Sequence, residues 1–167
     1  NRSSATDARG LHWFGGTDSW TNLDLANYVI VNYVPSATPS GAITITVTSN
    51  ALLSDIGWHA WEVIDAADGA PESTTVTHAA SGVNASTSTT SSAGAVLLAA
   101  GLIHAGSQTI TYSGDVVERR ENNEPNFTSA SADASSVSAG TRSVTLTPSS
   151  ASRNSVRLAS YAAAPSG

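Results

Sequence analysis

The sequence predicts an all-β fold of two antiparallel sheets packed face to face, and three observations carry that reading. Gly41–Ser49, "GAITITVTS", alternates Ile43, Ile45 and Val47 with Thr44, Thr46 and Thr48, the period of two that marks a half-buried strand of β-branched residues. A second copy begins at Gly140, "GTRSVTLTPSS", and aligning Gly41 with Gly140 brings Ile45 onto Val144 and Val47 onto Leu146. Only 12% of residues are charged, against about a quarter in an average globular domain, and Ser, Thr, Ala and Gly dominate.

The elements follow in chain order. Residues 1–10, "NRSSATDARG", read as an extended polar arm, and residues 11–167 as a single β-sandwich domain. Strands are expected at 11–15 ("LHWFG"), 27–34 ("NYVIVNYV"), 41–49 and across "GWHAWEVID", Gly57–Asp65. Later strands are expected at 73–78, 95–104, 108–113 and 115–120. "AVLLAAGLIH" carries helix-favouring Ala and Leu, but flanking glycines and a strand a few residues later favour a buried strand. The polar stretch 81–94, "SGVNASTSTTSSAG", reads as a surface connection. The second copy continues into "SVRLASYAAA", so each copy is an alternating strand, a polar stretch and an apolar strand. Two such pairs suggest the two halves of a sandwich, with roughly four strands in each sheet. Its core would draw on Ile43, Ile45, Val47, Trp61, Val63, Leu97, Ile110, Val144, Leu146 and Leu158.

Composition narrows the function. The net charge is −6, and the seven basic residues are all arginines spread along the chain, which argues against a nucleic-acid footprint. Cysteine is absent, so neither disulfides nor thiolate metal sites hold the fold. The longest apolar run, Ala95–Ile103, falls far short of the ~20 residues of a spanning helix, so no membrane insertion is expected. The N-terminus has no initiator Met, basic region or apolar run of a signal peptide, so the chain reads as processed or as part of a longer one.

Candidate sites are few. In a strand, Trp58 and Trp61 of "GWHAWEVID" point to opposite faces, and so do His59 and Glu62. That spacing opposes both a glycan-stacking platform and an acid/base pair, and leaves one Trp for the core and one for the surface or a partner. Asp65, Asp68 and Glu72 surround a glycine as in a calcium loop, but the spacing is not that of an EF-hand, and a plain turn is the simpler reading. His12, His59, His78 and His104 never fall at metal-ligand spacing. "ERRENNEP", Glu118–Pro125, reads as a solvated turn or a salt-bridged subunit contact, and the sequons at Asn84 and Asn126 acquire meaning only in a secretory context. No nucleophile elbow or phosphate loop occurs, so no catalytic, cofactor-binding or metal-ligating residue is assigned and no enzyme is expected. "LHWFGGTDSW" admits two readings: an edge strand with a Gly-Gly turn, or an arm that docks on a neighbouring subunit.

The order of segments carries a resemblance. "LHWFGG", "NYVIVNYVPSATPSGAITITVTS", "WEVIDAADGAP", a Ser/Thr connection, "AGAVLLAAGLIHAG", "TITYSG" and "GTRSVTLTPSSASRNSVRLASYAAAP" follow one another as in jelly-roll modules of tailed bacteriophages, gene transfer agents and bacterial surface proteins. The resemblance covers nearly the whole chain and implies a jelly-roll β-sandwich in a non-catalytic virion structural protein. Such a protein would be a decoration, spike, fibre or tail-associated subunit at the virion surface, partnered by copies of itself, by other virion proteins and by a host-surface glycan. It also implies one or two strands before "LHWFGG", supplied by a longer chain or by a neighbouring subunit, since an uncovered sheet edge invites aggregation. The alternative from another class is a carbohydrate-binding module of a secreted or surface protein, with exposed Trp or Tyr as stacking platforms.

Overall fold

The computed structural model describes the backbone of residues 3–7, 13–19, 27–33 and 45–49, and residues 59–61, 63, 67 and 71–165 with their side chains. The chain divides into two compact units, Asn1–Ser54 with Asp68–Ala70, and Asp55–Ala67 with Pro71–Gly167. In the first, β1 (Ser3–Asp7) pairs antiparallel with β4 (Ile45–Ser49), and β2 (Trp13–Ser19) with β3 (Asn27–Tyr33). β2 starts two residues later than expected and runs on through Gly15 and Gly16.

The second unit is a β-sandwich. β5 (Ser73–Ala79), β12 (Asn154–Tyr161), β7 (Ala95–Ile103), β10 (Thr128–Val137) and β9 (Val117–Asn123) form a five-stranded sheet in that order. β6 (Ala85–Ser91), β11 (Gly140–Pro148) and β8 (Ile110–Gly114) form a three-stranded one. Every pairing is antiparallel, and the pairs nest: β5 with β12, β6 with β11, β7 with β10. Eight strands rolled up as one long hairpin are the topology of a jelly roll. Here β9 joins β10 in the larger sheet, so the sheets hold five and three strands rather than four each.

The core is a match of large against small. Leu146 and Tyr112 are register partners on the small sheet, and they meet Gly101, Ala99, Ala130 and Ala132 of the large one. A Cβ on Gly101 would overlap both Leu146 Cδ1 and the Tyr112 hydroxyl, so the sheets approach this closely only over glycine. That hydroxyl donates to the Ala130 carbonyl at 2.8 Å, so it bridges the sheets without leaving a buried polar atom unpaired. Leu97, Ile110, Val144, Leu146 and Leu158 are buried as expected.

Several expectations need correction. Residues 81–94 are not a connection alone: β6 lies within them, with Ala85, Thr87, Thr89 and Ser91 buried and Ser86, Ser88 and Thr90 exposed. Its inward hydroxyls are bonded across the sheet boundary, Thr87 Oγ1 to Thr75 Oγ1 at 3.0 Å and Thr89 Oγ1 to Ser73 Oγ at 2.6 Å, which makes their burial tolerable. The turn before β6 uses Gly82 at φ +82°, with Val83 N donating to Ala80 O. Strand β10, "TSASADASSV", was not expected at all. His59, Ala60, Trp61 and Val63 lie outside any strand, and Trp61 and Val63 are half-buried rather than core; the rest of Gly57–Asp65 lies outside the described residues. The repeated Thr strands do not mark two halves of a sandwich, because β4 belongs to the first unit and all eight sandwich strands follow Glu72. Ile45 and Val47 are on β4, with side chains outside the description, and Ile43 lies outside it altogether.

Candidate interaction faces

The outward face of the small sheet is built from the residues that alternate with the core. Val144 and Leu146 point inward, so Thr141, Ser143, Thr145 and Thr147 of β11 point out. Register sets Thr141 beside Thr90, Ser143 beside Ser88, Thr145 between Ser86 and Ser113, and Thr147 beside Thr111. The face is therefore a grid of hydroxyls without a charge or an aromatic ring, and Ser86 Oγ and Thr145 Oγ1 share a hydrogen bond at 2.8 Å. Charge stands at its rim, where Arg142 Nη1 meets Asp115 Oδ1 at 3.4 Å and Asp115 Oδ2 accepts from Ser143 N at 2.7 Å.

The outward face of the large sheet is different, because along β12 and the first half of β10 it is buried. All eight residues of β12 are buried, although Ser155, Arg157, Ala159 and Tyr161 point away from the core that Val156 and Leu158 enter. On β10, Ala130 and Ala132 face inward, so Ser129 and Ser131 face out, and they are 6% and 4% exposed. His59 rests here, its Nε2 3.1 Å from Ser129 Oγ and its ring 6.2 Å from that of Trp61. Its Nδ1 is buried without a hydrogen-bond partner. Burial, and then the Arg120 guanidinium, hold the imidazole below its ordinary pKa. Further along, Ala67 N donates to Ala162 O and Glu72 N to Ser160 O, both at 2.8 Å.

The sequence candidates disperse. Glu72 is not poised for a cation: Oε1 accepts from Ser160 Oγ at 2.6 Å and from Ser92 N at 3.0 Å. Burial would raise this carboxyl, but the bonds from Ser160 and Ser92 outweigh it and hold it below the usual carboxylate range. Asp65, Asp68, His12 and Trp58 lie outside the described residues, and His78 and His104 are exposed on separate strand ends. Among the described residues no group of three or more metal-ligating side chains occurs. "ERRENNEP" is not a turn throughout: up to Asn123 it is β9, the edge of the large sheet. There Arg119 Nη2 lies 2.7 Å from Asp133 Oδ1, and Glu121 Oε2 accepts from Ile110 N at 2.6 Å, joining the edges of the two sheets. Burial, then the Glu121 charge, raise the Glu118 carboxyl. Charges along an edge strand discourage pairing with another chain.

Sequence reasoning missed both faces because their strands, β6 and β10, are nearly all Ser, Thr and Ala. The signal that marks β6 is positional, a seven-residue strand lying between Gly82 and Gly94 with β-branched Thr87, Thr89 and Thr90. No family model matches the chain, and neither a curated protein nor a solved structure matches it.

Proposed function

We propose that the protein is a non-catalytic structural component of a phage or phage-like particle, exposed at the virion surface and packed against copies of itself and other virion proteins. The observation that supports this reading is the hydroxyl grid on the outward face of the small sheet. Short Ser and Thr side chains lose little rotamer freedom on contact, and a face without charge has little to desolvate. The resemblance of the later segments, from "AGAVLLAAGLIHAG" to "GTRSVTLTPSSASRNSVRLASYAAAP", to phage jelly-roll modules adds to it.

Size decides how such a face would be used. Three strands at their usual spacing, seven residues long, cover roughly 14 Å by 23 Å, or about 330 Å². A stable two-body contact needs about 800 Å² per partner, so one such face cannot hold a subunit alone. It works where many copies engage at once and each adds to the avidity of the others.

The test is to sediment the native source material and peptide-map the fraction that contains this chain, including any residues upstream of Asn1. Co-sedimentation with a DNA-filled particle is the expected result. Recovery as a small soluble species whose mobility shifts on polysaccharide would overturn the assembly reading in favour of glycan binding.

A further inference from the structure

We propose that the outward face of the three-stranded sheet is covered by the same face of a second copy, the two hydroxyl grids meeting about a two-fold axis. This rests on the reading of that face as a packing surface and names its occupant. All three of its strands lie within the described residues, and Ser86, Ser88, Ser113 and Ser143 on it are exposed.

The sheet edges direct association away from strand pairing. β5 and β9 are the outer strands of the large sheet, β6 and β8 those of the small one. Along one corner Thr75 Oγ1 donates to Ser88 O at 2.8 Å and Thr89 Oγ1 to Ser73 Oγ at 2.6 Å, so β5 and β6 hold each other. Along the other, carboxylates of β9 take the main-chain N–H groups of β8: Glu121 that of Ile110 at 2.6 Å, and Glu118 that of Tyr112. Both glutamates share the inward side, opposite the buried Ala130 and Ala132, because a bulge in β9 inserts one extra residue between them. Carboxylates three apart in sequence thus serve N–H groups two apart. A strand added by another chain would have to displace these bonds. Contact between copies is left to the faces and the loop ends, and of the described faces the grid is the one without a charged side chain.

A second copy suits this face for three reasons. The net charge of −6 makes copies repel at a distance, and they meet at least cost where no charge must be desolvated. A hydroxyl both donates and accepts, so a grid of hydroxyls is complementary to itself, as Ser86 Oγ and Thr145 Oγ1 already show within one copy. The spacing also matches: outward residues recur about every 6.8 Å along a strand and about 4.8 Å across strands, and an identical sheet offers the same periods and the same twist. Two such faces pack with strand directions about 30° apart, and the two-fold sets a central residue of β11 against its own counterpart. The contact covers about 330 Å² on each copy, well below the roughly 800 Å² of a stable pair, so copies separate when dilute and pair where they are crowded.

Disulfide trapping tests the contact, because the chain holds no cysteine of its own. Ser143→Cys and Thr145→Cys each place a thiol on the central strand of the grid, and Ala151→Cys places one on the exposed loop between β11 and β12. With the whole purified chain at millimolar concentration under mild oxidation, at least one grid variant is expected to form linked dimer about tenfold faster than Ala151→Cys. Adding Ser88→Arg should abolish that advantage. Equal rates at the grid and at Ala151, in variants that circular dichroism shows to be folded, would overturn the proposal, as would an advantage that survives Ser88→Arg. Sedimentation of the source material answers the separate question of the particle. Fast pairing by a chain absent from particles upholds the self-contact and removes the particle reading, whereas slow pairing by a chain that co-sediments overturns the self-contact alone.

Discussion

Gly101 of β7 and Tyr112 of β8 stand against each other across the interior of the sandwich, so close that a methyl group on the glycine would overlap the tyrosine hydroxyl. Leu146 crowds the same point from the neighbouring strand. Gly101→Ala is therefore expected to lower stability by about 2–3 kcal/mol, the upper part of the range for forcing a carbon into a filled core. Urea unfolding checks it. Leu146→Ala removes part of the obstruction, so the double variant should be less destabilised than the sum of the two by roughly 1 kcal/mol.

Asn154 is 1% exposed and divides its amide between the turn that launches β6 and the backbone just before β12. Its Oδ1 accepts from Ala85 N at 2.8 Å, while Nδ2 donates to Val83 O at 2.7 Å and Ser152 O at 3.0 Å. Asn154→Leu leaves those backbone groups without partners and should cost about 3 kcal/mol, at about 1–3 for each group that stays dry. Hydrogen exchange should show Ala85 N among the amides that lose most protection. Retained protection there would mean that water replaces the side chain.

Glu72 links the start of β5, the end of β6 and the end of β12 through Ser92 and Ser160. Its folded carboxyl is held below the ordinary value, so its stabilisation is complete above about pH 4.3 and fades as pH falls through the folded value. The group is largely exposed, which limits the effect to a few tenths of a kcal/mol. Wild type should exceed Glu72→Gln in stability by that amount at pH 7, and the difference should be smaller at pH 3. Denaturation at both pH values measures the difference.

Ser88 lies exposed midway along β6, an edge strand of the hydroxyl grid, and contributes its carbonyl to the fold. Ser88→Arg should leave stability within about 0.5 kcal/mol of wild type. If the grid is a packing face, the same change should prevent co-sedimentation with the particle, because a long charged side chain holds the partner away. Unchanged incorporation would move the contact elsewhere on the molecule.

Which elements could be read in advance follows from hydropathy contrast. β11 was legible because Val144 and Leu146 stand out against Thr145 and Thr147, and β7 because it is an apolar run with flanking glycines. β6 and β10 were not, because Thr87 and Thr89 face inward with the same hydroxyl that Ser86 and Ser88 turn outward. The alternation was there, but hydrophobicity does not record it. Their burial became visible only with the partners, Thr75 for Thr87 and Ser73 for Thr89. The opposite error arose at Trp61 and Val63, whose aromatic and β-branched character suggested a strand. β12 has β5 and β7 for neighbours, so no place beside it is open, and these residues lie half-buried outside the sheets. The candidate faces were legible only as a preference for Ser, Thr and Ala contacts; His59 on Ser129 joins residues too far apart in the chain for any spacing rule.

The nested pairing has a consequence for biogenesis. β12, an inner strand of the large sheet, is the last of the eight sandwich strands to leave the ribosome, and its partner β5 is separated from it by six other strands. Until Tyr161 has emerged, β5 and β7 have no strand between them, and the apolar side chains of the nascent chain stay open to solvent. Contacts this distant in sequence close slowly. The unfinished sandwich is thus a natural client for chaperones, and pausing or truncation ahead of Asn154 should send the product to aggregation or proteolysis rather than to a smaller native fold.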